Sequence, residues 1–516
     1  MSPPSLSSLP EELMVQILGY IYKYSLIDLR FVDRTFSRLI TPLIFRSIRF
    51  RACRKEPRRF VAIAQTEHLR HHVREITCDT WTGCRSCLGF DHYFFQALPF
   101  ISLFPKLKTL NIRLADGGDY AKMYQKQMQV LETVFDCLAG TWNRACLNGE
   151  DLSFRDEQWS DCPPSQSGTL IPVRALTISN LLFPRYGKGS ITSRPSFQAV
   201  MHSGTVKDLR LNMADECAGE SFYSKPPDNS SPSCNPSHAW LTPHVASNLQ
   251  VLSLFSSRPW GWLPKLDLRL ISIDGLANLK VLALGKYEFS HWWQIEWFGS
   301  LGIEKLYLDE CTVLHSEQNW EGMTRDYSVT TVQDFEGQNH EFSNEGYYVE
   351  GTSKNTSVSE DKVVETDLRW HFLFNHWANS MHNLRVFKIG QGHGAGGDTW
   401  KAIDPTYEGD FYEYVEEDHE AIFQPFQDTE HQYFECPAPL TTGTGIRRYG
   451  SEAVQDYGAF FPYVAYSRPR LYEYTEIVDG REPVDVSEEE VERDKKAFDK
   501  FLSVVETRRK ELAVKG

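Results

Sequence analysis

The chain has 516 residues, 41% apolar and 24% charged, with a net charge of −15 and a pI of about 5.6. Those proportions belong to a globular protein, and the length calls for two or three domains. The acidic balance argues against a general nucleic-acid binder, and no run of about 18 apolar residues offers a membrane span.

Glu11 and Glu12 precede the first long apolar pattern, so no secretory signal is expected and the compartment is read as cytoplasmic or nuclear. The eleven cysteines are then expected to be reduced thiols rather than a disulfide framework. Charge is unevenly spread. Residues 1–60 hold eleven Lys or Arg against five acids, and residues 404–435 hold eleven acids and no Lys or Arg.

"SLPEELMVQILGYI", Ser8 to Ile21, predicts an amphipathic helix, with Ser8 and Glu11 at capping-box spacing and Pro10 in the first turn. Leu13, Met14, Ile17, Leu18 and Ile21 follow helical spacing, as do Leu26, Leu29, Val32, Phe36, Leu39 and Ile40 after the "YKYS" turn. Pro42 is placed to open a third short segment, "PLIFRSIRF". Three short helices in about fifty residues cannot bury all of this surface themselves, so part of it must lie against the remaining chain or another protein.

Leu9-Pro10, Glu12, Ile17-Leu18, Leu26, Leu29-Arg30, Val32, Arg34, Phe36 and Pro42-Leu43-Ile44-Phe45-Arg46 together resemble the F-box. Ser25, where that family often has an acid, and the Tyr22-Lys23-Tyr24 turn, where prolines are common, depart from the pattern without touching its apolar positions. The resemblance implies a helical module that docks on the Skp-type adaptor of a cullin–RING ubiquitin ligase. It also implies that Leu9, Pro10, Leu13, Ile17, Leu18, Ile21, Leu29, Val32 and Phe36 divide between a small core and the adaptor interface.

From residue 70 onward a second pattern recurs: apolar-x-x-apolar-x-apolar, the core of a leucine-rich repeat. It begins at Val73, Leu107, Val173, Val206, Leu249, Leu279, Ile303 and Leu384, at irregular intervals of 24 to 81 residues. Helices are expected over Tyr120–Gly140 and Trp370–Asn383. Strands alternating with helices also fit a doubly wound α/β fold, but its strands are usually continuous apolar runs, which favours a solenoid here. A solenoid offers an extended surface from its strands. Trp81, Trp260, Trp262, Trp292, Trp293 and Trp297 are candidates to line it, although the core is the ordinary place for any one of them.

Residues 315–367, with twelve acids against three bases, read as a long acidic loop, and 220–240 as another. The aromatic and acidic stretch from Trp400 to Glu476 reads as a cap on the repeats. A final helix is expected over Ser487–Leu512, capped by Ser487 and Glu490, with Val491, Phe498, Phe501, Leu502 and Val505 on one face.

Chemical motifs are few. Cys78, Cys84, Cys87 and His92 cluster in sequence, but without a second C-x-x-C they argue little for zinc. "GHGAGG", Gly392 to Gly397, is followed by Pro405 too soon for a dinucleotide-binding helix. No metal, cofactor or catalytic residue is expected.

The expected fold class is therefore an α+β or α/β solenoid. A three-helix F-box (1–51) and a linker helix (52–69) precede an irregular leucine-rich-repeat-like domain (70–400, with 315–367 inserted) and a C-terminal cap and helix (401–516). The expected function is non-catalytic: a substrate-recognition subunit of an SCF-type ligase that binds the adaptor, through it a cullin, and an unidentified target protein. The alternative is a repeat scaffold unrelated to ubiquitin.

Overall fold

The computed structural model describes residues 9–21, 23–52, 56–80, 92–114, 120–143, 168–182, 191–213, 240–262, 268–271, 273–309, 311–318, 323–326, 328–333, 338–350, 363–390, 461, 463–466 and 481–515. The protein is mixed α/β with a mostly parallel sheet. Two compact units divide the chain: residues 1–118, 125–176 and 194–205 in one, and 119–124, 177–193 and 206–516 in the other.

The first unit opens with three short helices: α1 (Glu11–Leu18), α2 (Lys23–Leu29) and α3 (Arg34–Ile44). Helix α1 is shorter than the apolar pattern predicts, and its N-cap is Pro10 without a side-chain cap bond. Asp33 caps α3 instead, accepting the Phe36 N–H at 2.8 Å. Pro42 does not open a new helix; it sits inside α3. The third predicted segment splits into the end of α3 and a strand, β1 (Ser47–Arg51), because Ile48 and Phe50 alternate with polar neighbours.

Strands β2 (Glu75–Asp79) and β3 (Thr109–Arg113) pair with β1 in parallel, in the order β1-β2-β3. Helices α4 (Glu56–Gln65) and α5 (Glu67–Arg70) lie between β1 and β2 in sequence, α6 (His92–Ala97) between β2 and β3, and α7 (Tyr120–Ala139) after β3. Phe50 of β1 stacks on Phe60 of α4 and Phe94 of α6, and Phe60 meets Phe104. Strand β4 (Ala175–Leu181) crosses the division after Leu176. Helix α8 (Pro195–Met201) packs in the first unit, Phe197 against Phe135 of α7.

In the second unit β5 (Asp208–Met213), β6 (Val251–Trp260), β7 (Val281–Phe289) and β8 (Lys305–Asp309) pair successively in parallel. Helices α9 (Pro243–Ala246) and α10 (Trp292–Ser300) lie between them in sequence. All eight repeat segments predicted from sequence contain a strand, each starting two residues after the first apolar position. All three apolar positions of every segment are buried, from Val73, Ile76 and Cys78 to Leu384, Phe387 and Ile389.

Residues 315–367 were expected as a loop, but much of the described part is strand. It comprises the end of β9 (Thr312–Gln318), β10 (Met323–Asp326), β11 (Val329–Gln333), β12 (Asn339–Ser343), β13 (Tyr347–Glu350) and β14 (Val363–Glu365). Strands β10 and β13, and β11 and β12, form antiparallel ladders. Short β-branched runs such as "VTTV" decide the local structure here, and averaged acidity hides them. Tyr347 anchors this region: it is buried with Trp262, Leu314 and Val464 and stacks on His291 at 4.3 Å.

Helix α11 (Trp370–Ser380) precedes β15 (Val386–Gly390), which pairs in parallel with β8. Most of the predicted cap, and "GHGAGG", lie outside the described residues. Within it, β16 (Tyr463–Tyr466) pairs with β9 and with β17 (Arg481–Val484). The last helix, α12 (Glu488–Lys515), is capped by Ser487, whose Oγ accepts the Glu490 N–H at 3.3 Å. Its packed face holds Asp494, Ala497, Phe501 and Val505, with Phe498 and Leu502 half-buried, while Val491 is exposed.

Candidate docking surface

The N-terminal helices close a core of their own. Met14 and Leu18 of α1, Leu26 of α2, and Phe36, Leu39, Ile40 and Ile44 of α3 are buried together, and Leu9, Ile21, Leu29, Leu43 and Phe45 pack half-buried against them. Every member lies within residues 9–45. Glu11 pairs with Arg38 on the surface, and the Arg30 guanidinium lies over the Phe45 ring.

Of the nine residues marked from sequence, Leu18 and Phe36 thus belong to this core and are covered. Leu9, Ile21 and Leu29 are half-buried, and Pro10, Leu13, Ile17 and Val32 are exposed. Leu13 is 46% exposed, Ile17 40% and Val32 64%. Helical spacing puts Leu13 and Ile17, four residues apart, on one outward face of α1, and the exposed Tyr20 lies just beyond its end. In the α2–α3 turn Phe31, 80% exposed, stands beside Val32. Sequence periodicity passed over Phe31 and Tyr20 because both lie in turns outside the helices.

The strand positions facing away from the apolar core do not form an open groove. Thr77, Asp79 and Asn111 in the first unit, and Arg210, Asn212, Ser253 and Tyr307 in the second, are buried. Many satisfy one another. Arg49 pairs with Asp79, Asn111 Nδ2 donates to Glu75 and Thr77, and Arg210 grips Asp208 with two bonds of 2.8 and 2.7 Å. Burial lowers the Arg49 pKa to about 10, with Asp79 opposing the shift, and pushes the Tyr307 hydroxyl up to about 12.

Of the candidate tryptophans, Trp260, Trp262 and Trp297 are buried, and Trp293 is half-buried against Arg269. The Trp260 indole donates to the Gly285 carbonyl at 2.6 Å. Trp292 is exposed, but on helix α10 beside Phe372 rather than on a strand. Trp81 lies outside the described residues, as do Cys84 and Cys87. Cys78 is fully buried, and burial raises its thiol pKa well above the ordinary value. Among the described residues no group of three or more His, Cys, Asp or Glu side chains is placed to hold a metal.

One polar cluster escaped the sequence altogether. The buried Asp494 carboxylate accepts the Tyr463 hydroxyl at 2.6 Å and both the backbone N–H and the Nδ1 of His371 at 2.9 Å. Arg369 donates to Glu490 at 2.8 Å beside it. These contacts fasten α12 to α11 and β16; their partners are up to 123 residues apart, beyond any local signal.

Fold and site together define a mixed α/β protein with a parallel sheet, carrying a helical segment that is closed inside and apolar outside. Among the described residues no helix is long and apolar enough to cross a membrane. No known family model matches the chain, and no curated protein matches it.

Proposed function

We propose that this chain is the substrate-recognition subunit of an SCF-type cullin–RING ubiquitin ligase. The N-terminal helices would dock on the Skp-type adaptor, and the sheet-bearing region would hold a target protein as an irregular leucine-rich-repeat-like solenoid. The observation that carries this reading is the exposure of Leu13, Ile17, Phe31 and Val32 on a segment whose own core is already complete. Large apolar side chains grouped on a surface mark protein-binding sites.

The solenoid reading is supported by strand order. Within each unit the parallel strands follow the chain, β1-β2-β3 and then β5-β6-β7-β8-β15, without the reversal that a doubly wound fold places at its switch point. The chain's part in ubiquitin transfer would be to raise the effective concentration of target lysines.

The test is binding of purified Skp-type adaptor by calorimetry. Leu13→Asp/Ile17→Asp should weaken it by about 100-fold, the size expected for two interface anchors, with the melting profile unchanged. Full affinity in the folded double variant would refute the docking surface. No binding by the wild-type chain would turn the reading to a repeat scaffold outside ubiquitin transfer.

A further inference from the structure

The ladder that assembles the first unit's sheet also stacks its cations. The Arg46 carbonyl accepts the N–H groups of Arg74 (2.8 Å) and Glu75 (3.1 Å), and the Arg74 carbonyl those of Lys108 (2.7 Å) and Thr109 (3.0 Å). The Lys108 carbonyl in turn accepts those of Arg174 (2.7 Å) and Ala175 (3.0 Å). Arg46, Arg74, Lys108 and Arg174 therefore sit at one level of successive strands, about 4.8 Å apart. Each stands one residue before its strand, Arg74, Lys108 and Arg174 at the second position of their repeat segments.

Arg46, Lys108 and Arg174 are exposed and Arg74 is half-buried. His68, Arg70, His71 and His72 precede Arg74 directly, and Arg74 Nη1 reaches the Lys106 carbonyl at 3.4 Å. Among the described residues none of the four stacked cations has an ion-pair partner. Of the neighbouring acids, Glu67 lies 3.9 Å from His71 and Glu75 accepts from Asn111. The His72 pKa is lowered, first by burial and then by the neighbouring Lys106, His68, Arg74 and His71.

The same level of the second unit carries a counter-charge and a polar partner of its own. There Glu304 meets Lys280 at 3.6 Å and Arg385 at 3.5 Å, and Lys207 bonds Asn248. Among the described residues the first unit's row has no such counter-charge, so its like charges repel until an anion is supplied.

We propose that this row binds an acidic, extended segment of a partner polypeptide. Four cations across three strand spacings cover about 14 Å, the length of four or five extended residues. That is too short to follow a nucleic-acid duplex, and a chain of net charge −15 repels a long polyanion beyond the patch. The proposal is independent of adaptor docking, since none of the nine docking candidates belongs to the row.

The test uses the full chain and a fluorescein-labelled deca-glutamate peptide, read by anisotropy, with a single-stranded decanucleotide for comparison. The peptide should bind in about 50 mM NaCl, weaken in about 200 mM, and bind more tightly than the decanucleotide. Arg74→Gln/Lys108→Gln/Arg174→Gln should weaken binding about tenfold, and the single exposed change Lys108→Gln about twofold to threefold. Lys495→Gln/Lys496→Gln/Lys500→Gln, which removes equal charge from α12, should leave binding unchanged. Failure of the wild-type chain to bind the peptide, equal loss in both triple variants, no loss in Lys108→Gln, or tighter binding of the decanucleotide would overturn the proposal.

Discussion

Gly285 of β7 lies under the Phe255 ring, and a Cβ there would stand 1.8 Å from Phe255 Cδ2. Gly285→Ala must displace the ring and is expected to cost about 1–3 kcal/mol in urea unfolding, whereas adding Phe255→Ala should relieve the clash. Asp494→Ala strands the Tyr463 hydroxyl and both His371 donors, so a loss of about 2–3 kcal/mol is expected in the same measurement. His315, beside Arg369, is held below its ordinary pKa, first by burial and then by Arg369, with Glu365 and Glu490 opposing. The unfolded chain therefore takes up the proton first, and stability falls as pH drops through the ordinary value of 6.5. His315→Gln should flatten thermal melts between about pH 7 and pH 5.5; an unchanged slope would remove His315 as the cause.

At the scale of elements, the three N-terminal helices separate core from surface along single helices. Leu18→Ala and Phe36→Ala are expected to cost about 2–4 kcal/mol each, because both side chains are enclosed. Ile17→Ala, one residue from Leu18, should cost less than about 1 kcal/mol while still affecting partner binding. Equal losses at positions 17 and 18 would show that α1 buries the opposite face. Helix α12 carries the complementary lesson. Phe501 and Val505 were legible as its buried face, but Asp494 took the place expected of Val491 because His371 and Tyr463 receive its carboxylate. Strand β1 was misread as helical because only its pairing with β2 reveals that Ile48 and Phe50 extend the repeat pattern.

For the molecule as a whole, the core that residues 9–45 share among themselves predicts that removing residues 1–44 leaves a soluble remainder with a cooperative melt and no adaptor affinity. Aggregation of the remainder would instead mark the helices as a cap on the sheet's apolar end. The sequence by itself determined the repeating strand unit and its buried positions, because alternation along a strand is a local property that survives any spacing between units. It also marked the N-terminal helices as over-supplied with apolar side chains. Tertiary structure alone decided that Leu18 is enclosed while Ile17 is open, that the polar face of the strands is buried, and that Asp494 meets His371 and Tyr463. Burial and polar pairing depend on residues that folding brings together from distant parts of the chain, and no local period encodes which those will be.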